Sequence, residues 1–170
     1  VVHESNSNLG VKNKNMLLGV LKLNKILIHE VMTHYHIIEY VDVNLSVEKI
    51  LVTISKMKST NILLCDGSIN KVIGVLSLLD INNLLISKSA ITKAKLRKLS
   101  HQPYYIPESV TLQTQLINFQ KKGKRFAVVV DEYGDVSGIV TFEDIVEEIV
   151  GEFSDRFDSH NTISKINDSS

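Results

Sequence analysis

Two copies of one short pattern carry the chemistry this chain could perform. Gly74-Val75-Leu76-Ser77-Leu78-Leu79-Asp80 and Gly138-Ile139-Val140-Thr141-Phe142-Glu143-Asp144 share a glycine, an apolar pair, a hydroxyl and an aspartate three residues after the hydroxyl. Each pattern sits where a strand-like run gives way to a helix-like one. A hydroxyl there suits a helix N-cap, and an acid in the first turn suits the helix dipole. Capping alone accounts for either copy. The same geometry also suits a ligand. An ionised carboxylate only accepts hydrogen bonds, so Asp80 or Asp144 can take both hydroxyls of a ribose diol. Gly74 and Gly138 allow close backbone approach. Two copies predict two clefts across the interface of the repeats, a common location for ligands.

The elements that must position these residues repeat as well. Leu45-Ser46-Val47 matches Val110-Thr111-Leu112 at an offset of 65 residues, as do Leu51 with Leu116 and Asp66 with Asp131. After a one-residue difference in the turn, the glycine–hydroxyl–aspartate patterns match at an offset of 64. Apolar spacings of three and four predict helices from Ser46 through Met57, from Ser77 through Leu85, from Leu112 to a stop at Gly123, and from Thr141 through Val150. Strands are predicted at Ile62–Cys65, Val72–Leu76, Phe126–Val130 and Val136–Val140, with extended chain at Ile37–Val43 and Tyr104–Pro107. Asp66-Gly67-Ser68 and Asp131-Glu132-Tyr133-Gly134-Asp135 are turns. Two strand–helix–strand–strand–helix units that each leave an apolar face uncovered would pack together. The expected fold is α/β (α+β), with two βαββα repeats related by a pseudo-twofold. The expected organisation is a flexible linker over residues 1–15, a lead-in helix and first repeat over 16–90, a second repeat over 91–153, and a polar tail over 154–170.

The run Phe126-Ala127-Val128-Val129-Val130-Asp131-Glu132-Tyr133-Gly134, continued by Gly138 through Glu152, resembles the second CBS repeat of the CorC/HlyC/CNNM family. The match is near-complete over residues 126–152, and a looser resemblance covers 16–158. That family bears on magnesium and cobalt efflux, and some members carry a hemolysin-related name. The resemblance implies a cytoplasmic regulatory CBS pair that binds an adenine nucleotide, ATP usually with Mg2+, or AMP. It implies a membrane transport domain elsewhere in a longer protein and a transporter-associated domain whose severed start is Ser164–Ser170. It also implies a homodimer built through CBS pairs. This fragment would itself be soluble, at the cytoplasmic face of the inner or plasma membrane.

Carried over residue by residue, the ribose contacts are Thr141 and Asp144. Thr33, Ile37 and Ile38 line the cleft from the first repeat, and Lys124 and Arg125 are phosphate-binding cations or a solvated helix end. A second cleft would use Ser77, Asp80, Tyr104, Tyr105 and Ile106. The lead-in reads Met32-Thr33-His34-Tyr35 where the family commonly has Met-Thr-Pro-Arg. An aromatic replaces a base, which lowers the expected phosphate affinity and brings AMP alongside ATP.

Other features narrow the function. Lys+Arg and Asp+Glu both number 19, so no net field points to nucleic acid. The single Cys65 lies in an apolar strand and excludes an internal disulfide. His29, His34 and His36 lack acidic or thiol partners at metal-site spacing, so no metal site is expected. Glu143, Asp144, Glu147, Glu148 and Glu152 make an acidic helix, either a solvated face or a link to Mg2+. No catalytic triad or phosphate-cradling glycine loop is present, so the chain is not expected to be an enzyme. The competing expectation is a structural dimerisation module with empty clefts, whose aspartates only cap helices.

Overall fold

The computed structural model describes residues 21–87 and 90–151, with isolated positions at 10, 13, 14, 17, 18 and 154. The expected linker and tail therefore lie largely outside the described residues. The elements are α1 (Ile28–Val31), β1 (Thr33–His34), a 3-10 turn (Tyr35–Ile37), β2 (Tyr40–Asp42), α2 (Val47–Lys56), β3 (Asn61–Cys65), β4 (Val72–Ser77), α3 (Leu78–Ile86), α4 (Lys93–Leu99), β5 (Tyr105–Pro107), α5 (Leu112–Lys122), β6 (Phe126–Val130) and β7 (Val136–Thr141). A last helix, α6, covers 142–151.

The strands form two small sheets, ordered β2-β3-β4 and β1-β7-β6-β5. Each mixes strand directions or elements from distant parts of the chain. β2 runs parallel to β3, with Tyr40 opposite Leu63, and β3 runs antiparallel to β4. β5 runs parallel to β6, with Tyr105 opposite Val128. Parallel neighbours need a crossover, supplied by α2 in one case and α5 in the other. Both crossovers start with the same device. Ser46 accepts from the Lys49 N–H at 3.4 Å, and Thr111 accepts from the Thr114 N–H at 3.3 Å. Gly123, at φ +60°, closes α5 in the left-handed conformation that glycine adopts without steric cost.

Two compact units divide the chain. One comprises residues 33–107 and 126–139 and holds both sheets up to Ile139. Within it, β3 is buried on both faces. Ile62 and Leu64 join Val41, Ile50, Ile54, Leu76, Ile81 and Leu96, whereas Leu63 and Cys65 join Val75, Val128 and Val136. That alternation is the period of two of a pleated strand. The other unit gathers 21–32, 108–125 and 140–151. In it the Ile28 N–H donates to Val110 O at 2.8 Å and the Leu112 N–H donates to Ile26 O at 3.0 Å, tying the lead-in to the start of α5.

Two local features differ from expectation. The stretch read as extended from Ile37 begins with the 3-10 turn, closed by Ile38 N–H donating to Tyr35 O at 3.3 Å, so Ile37 is 72% exposed and β2 starts only at Tyr40. Helix α4 was not expected. Its four basic residues mask an apolar anchor, Leu96, that is buried in the core.

Gln115 in α5 is fully buried, and neither atom of its amide has a hydrogen-bond partner among the described residues. Its counterpart one repeat earlier is Ile50, also buried. An unpaired buried amide costs about 1–3 kcal/mol. Gln115→Leu should therefore raise the thermal midpoint, by about 1 kcal/mol of stability. A lowered midpoint in differential scanning calorimetry would mean that the amide has a partner.

Candidate functional site

The junction of β7 and α6 is built by a reciprocal pair. The Thr141 N–H donates to Asp144 Oδ2 at 2.7 Å, and the Asp144 N–H donates to Thr141 Oγ1 at 3.1 Å. This is a capping box with aspartate as the acid. It holds a half-buried carboxylate at the mouth of α6, and among the described residues Oδ1 accepts no bond within the chain. The next residue ties the mouth to its surroundings, because the Phe142 N–H donates to Arg125 O at 2.8 Å.

Lys124 and Arg125 reach the same unit through the end of α5. The Lys124 N–H donates to Phe119 O at 3.0 Å beyond the left-handed Gly123, and both basic side chains emerge exposed. The Arg125 guanidinium then lies 4.9 Å from the centre of the Phe142 ring. Its Nε donates to Glu143 Oε1 at 3.1 Å, and its Nη2 reaches the same oxygen. That guanidinium holds the Glu143 carboxyl below the usual carboxylate range. Phe119, Gln120, Gly123, Lys124, Arg125 and Phe142 line an open cleft of about 300 Å³. Lys124, Arg125, Thr141 and Asp144 thus share one compact unit.

The remaining expected residues belong to the other unit. Thr33 pairs with Ile139 and His34 with Gly138 on β7. Ile37 faces solvent, while Ile38 packs against the cluster of Leu63, Cys65 and Val75. At the junction of β4 and α3, Ser77 Oγ accepts from the Leu79 N–H at 3.2 Å. Asp80 does not close a box there. Its Oδ2 lies 3.5 Å from His101 Nε2. Tyr104 O accepts the Val128 N–H at 2.8 Å, Ile106 is buried, and the Tyr105 hydroxyl reaches Val72 O at 3.4 Å. His101, rather than residues 104–106, makes the backbone bridge to β4 at Val75.

A CBS-domain pair with bound AMP from Klebsiella pneumoniae is 33% identical, with a TM-score of 0.71, and the match covers 74% of this chain and 98% of that one. The chain belongs to the CBS-domain family. The family profile described as CBS domain matches residues 96–151, from within α4 to the end of α6. The CBS domain of a bacterial CNNM/CorC family Mg2+ transporter in complex with ATP is 25% identical, with a TM-score of 0.67, over 82% of this chain and 98% of that one. The UPF0053 inner membrane protein YfjD of Escherichia coli (strain K12) is 37% identical over 91% of this chain, which spans 36% of that protein's length. Among the described residues of this CBS pair, no helix is long and apolar enough to cross a membrane.

Sequence reasoning placed Glu143 in an acidic helix and missed its pairing with Arg125. The two are 18 residues apart, and no periodic signal links them. Both side chains are more than half exposed, so solvent screens the pair to at most about 1 kcal/mol. Because the folded-state pKa of Glu143 is depressed, its contribution is present above the unfolded carboxyl value and is lost as pH falls through the folded one. Glu143→Gln should therefore cost a few tenths of a kcal/mol, and at most about 1, near neutral pH. The difference from the parent CBS pair should vanish in acid and shrink in high salt, as measured by denaturant melts across pH. A difference that persists below the carboxylate range would mean that the glutamate stabilises by packing rather than by charge.

Proposed function

We propose that this CBS pair is a regulatory module that binds an adenine nucleotide, with the ribose taken by Asp144 at the mouth of α6. The observation that carries the reading is the half-buried Asp144 carboxylate, fixed by Thr141 in the same compact unit as Lys124 and Arg125. A diol donates two hydrogen bonds to such an acid, and the two cations favour a phosphate. Thr33, Ile37 and Ile38 are the proposed purine side of the site. The AMP bound to the Klebsiella pneumoniae CBS pair and the ATP bound to the CNNM/CorC domain support this ligand class. The proposed role is sensing rather than turnover.

The chain spans about a third of its inner-membrane relative, so the proposed partner is a membrane transport domain of the same longer protein, read at the cytoplasmic face. Binding would favour one arrangement of the CBS pair over another, by the difference in affinity between the two. A homodimer of CBS pairs is the proposed assembly. Mg2+ would enter by neutralising phosphates beside Glu143, Glu147 and Glu148.

A second reading has its own support. Asp144 Oδ2 is already committed to the Thr141 N–H, as a purely capping acid would be. Titration calorimetry with AMP, ADP and ATP, each with and without Mg2+, separates the two. The sensing reading expects binding, weakened by Asp144→Asn by about 10- to 100-fold, the loss of a charge-assisted hydrogen bond. No heat from a folded sample at millimolar nucleotide leaves the capping reading standing.

A further inference from the structure

The two helix mouths are not equivalent, and the difference lies in what faces the acid. Repeat equivalence maps Ile139 of β7 onto Val75 of β4, 64 residues earlier. Thr33 pairs with Ile139, and His101 pairs with Val75. His101 therefore holds against β4 the position that Thr33 holds against β7. Two backbone bonds fix it there. The Val75 N–H donates to His101 O, and the His101 N–H donates to Val75 O, each at 2.9 Å.

The residue before it presses on the strand. A Cβ built on Gly74 would lie 2.5 Å from Ser100 Oγ and 2.7 Å from Ser100 Cβ. Gly74 thus admits the chain's own Ser100. From this fixed backbone the imidazole reaches Asp80, with Nε2 3.5 Å from Oδ2. The acids differ accordingly: Asp144 is turned back onto its own Thr141, whereas Asp80 faces a donor from elsewhere in the chain.

We infer that His101 occupies the ribose-accepting acid of the second cleft, so that this CBS pair takes one nucleotide per chain, and that residue 101 sets this stoichiometry. The inference rests on the reading that the first cleft binds an adenine nucleotide through Asp144. The imidazole stands within ion-pair distance of Asp80, where a sugar hydroxyl would otherwise approach the carboxylate. A second ligand would have to displace it from a backbone held on both sides.

The test replaces His101 with the first cleft's own residue. His101 is largely exposed and held by backbone bonds, so His101→Thr should fold, and a thermal melt checks this. Calorimetry with AMP should give one site per chain for the parent and two for His101→Thr. The double variant His101→Thr/Asp80→Asn should return to one. Asp80→Asn alone should leave the parent's affinity within about twofold. Two sites in the parent, or one site in a folded His101→Thr, overturns the inference. If the parent binds nothing, the first-cleft reading fails on its own. In that event, Asp80-dependent binding by His101→Thr would still uphold the role of His101, and its absence would end it.

Discussion

The burial of β3 on both faces is the constraint from which the sheet-bearing unit follows. A strand whose alternate side chains enter different clusters must be apolar throughout, and Ile62-Leu63-Leu64-Cys65 is. It must also have helices on one side and further strands on the other. Its parallel neighbour then requires a helical crossover, and its antiparallel neighbour needs only the short turn at Asp66–Asn70. The turn returns the chain so that β4 ends in Ser77 and a helix begins. β5, α5, β6 and β7 follow the same order in the second repeat. The strand-to-helix junctions that could meet a ligand are thus consequences of sheet construction.

The two junctions show how one local solution supports different chemistry. Both use a hydroxyl to satisfy an N–H that the helix leaves without a partner. Only Thr141 has its own amide returned by the acid, and the acid therefore stands at a defined angle. Around it, Phe142 carries a guanidinium near its ring, and Glu143 accepts from that guanidinium. Three successive residues of one helical turn thus organise an acid, an aromatic surface and a cation. Such density of function in one turn explains why the pattern is readable as a short string.

What the sequence disclosed and what it withheld divide along a physical line. Periodic burial is written locally, so α2, α5, β3, β6 and the caps at Ser77 and Thr141 were legible, as was the acid at each helix mouth. Interactions between positions without fixed spacing were not. Arg125 and Glu143 meet because β6, its turn and β7 fold back, and no repeat encodes that. His101 was passed over because the lead-in to the second repeat was sought at Tyr104, where an aromatic pair stands out. The residue that bridges β4 lies earlier in a polar stretch. Helix α4 was missed because Lys93, Lys95, Arg97 and Lys98 outnumber the apolar side chains, although a single buried Leu96 anchors it. The 3-10 turn at Tyr35–Ile37 is too short to have any period at all.

Cys65 lies at the end of β3, in full burial, with its thiol pushed up to about 12 by that burial and by the nearby Asp42 charge. Only the thiolate attacks an alkylating reagent, so in the native protein the sulfur is protected twice, by access and by protonation. Labelling must then wait for the strand to come free of its neighbours. The single cysteine is a built-in clock for the opening of this sheet, and its rate of modification measures how rarely the core of this unit comes apart.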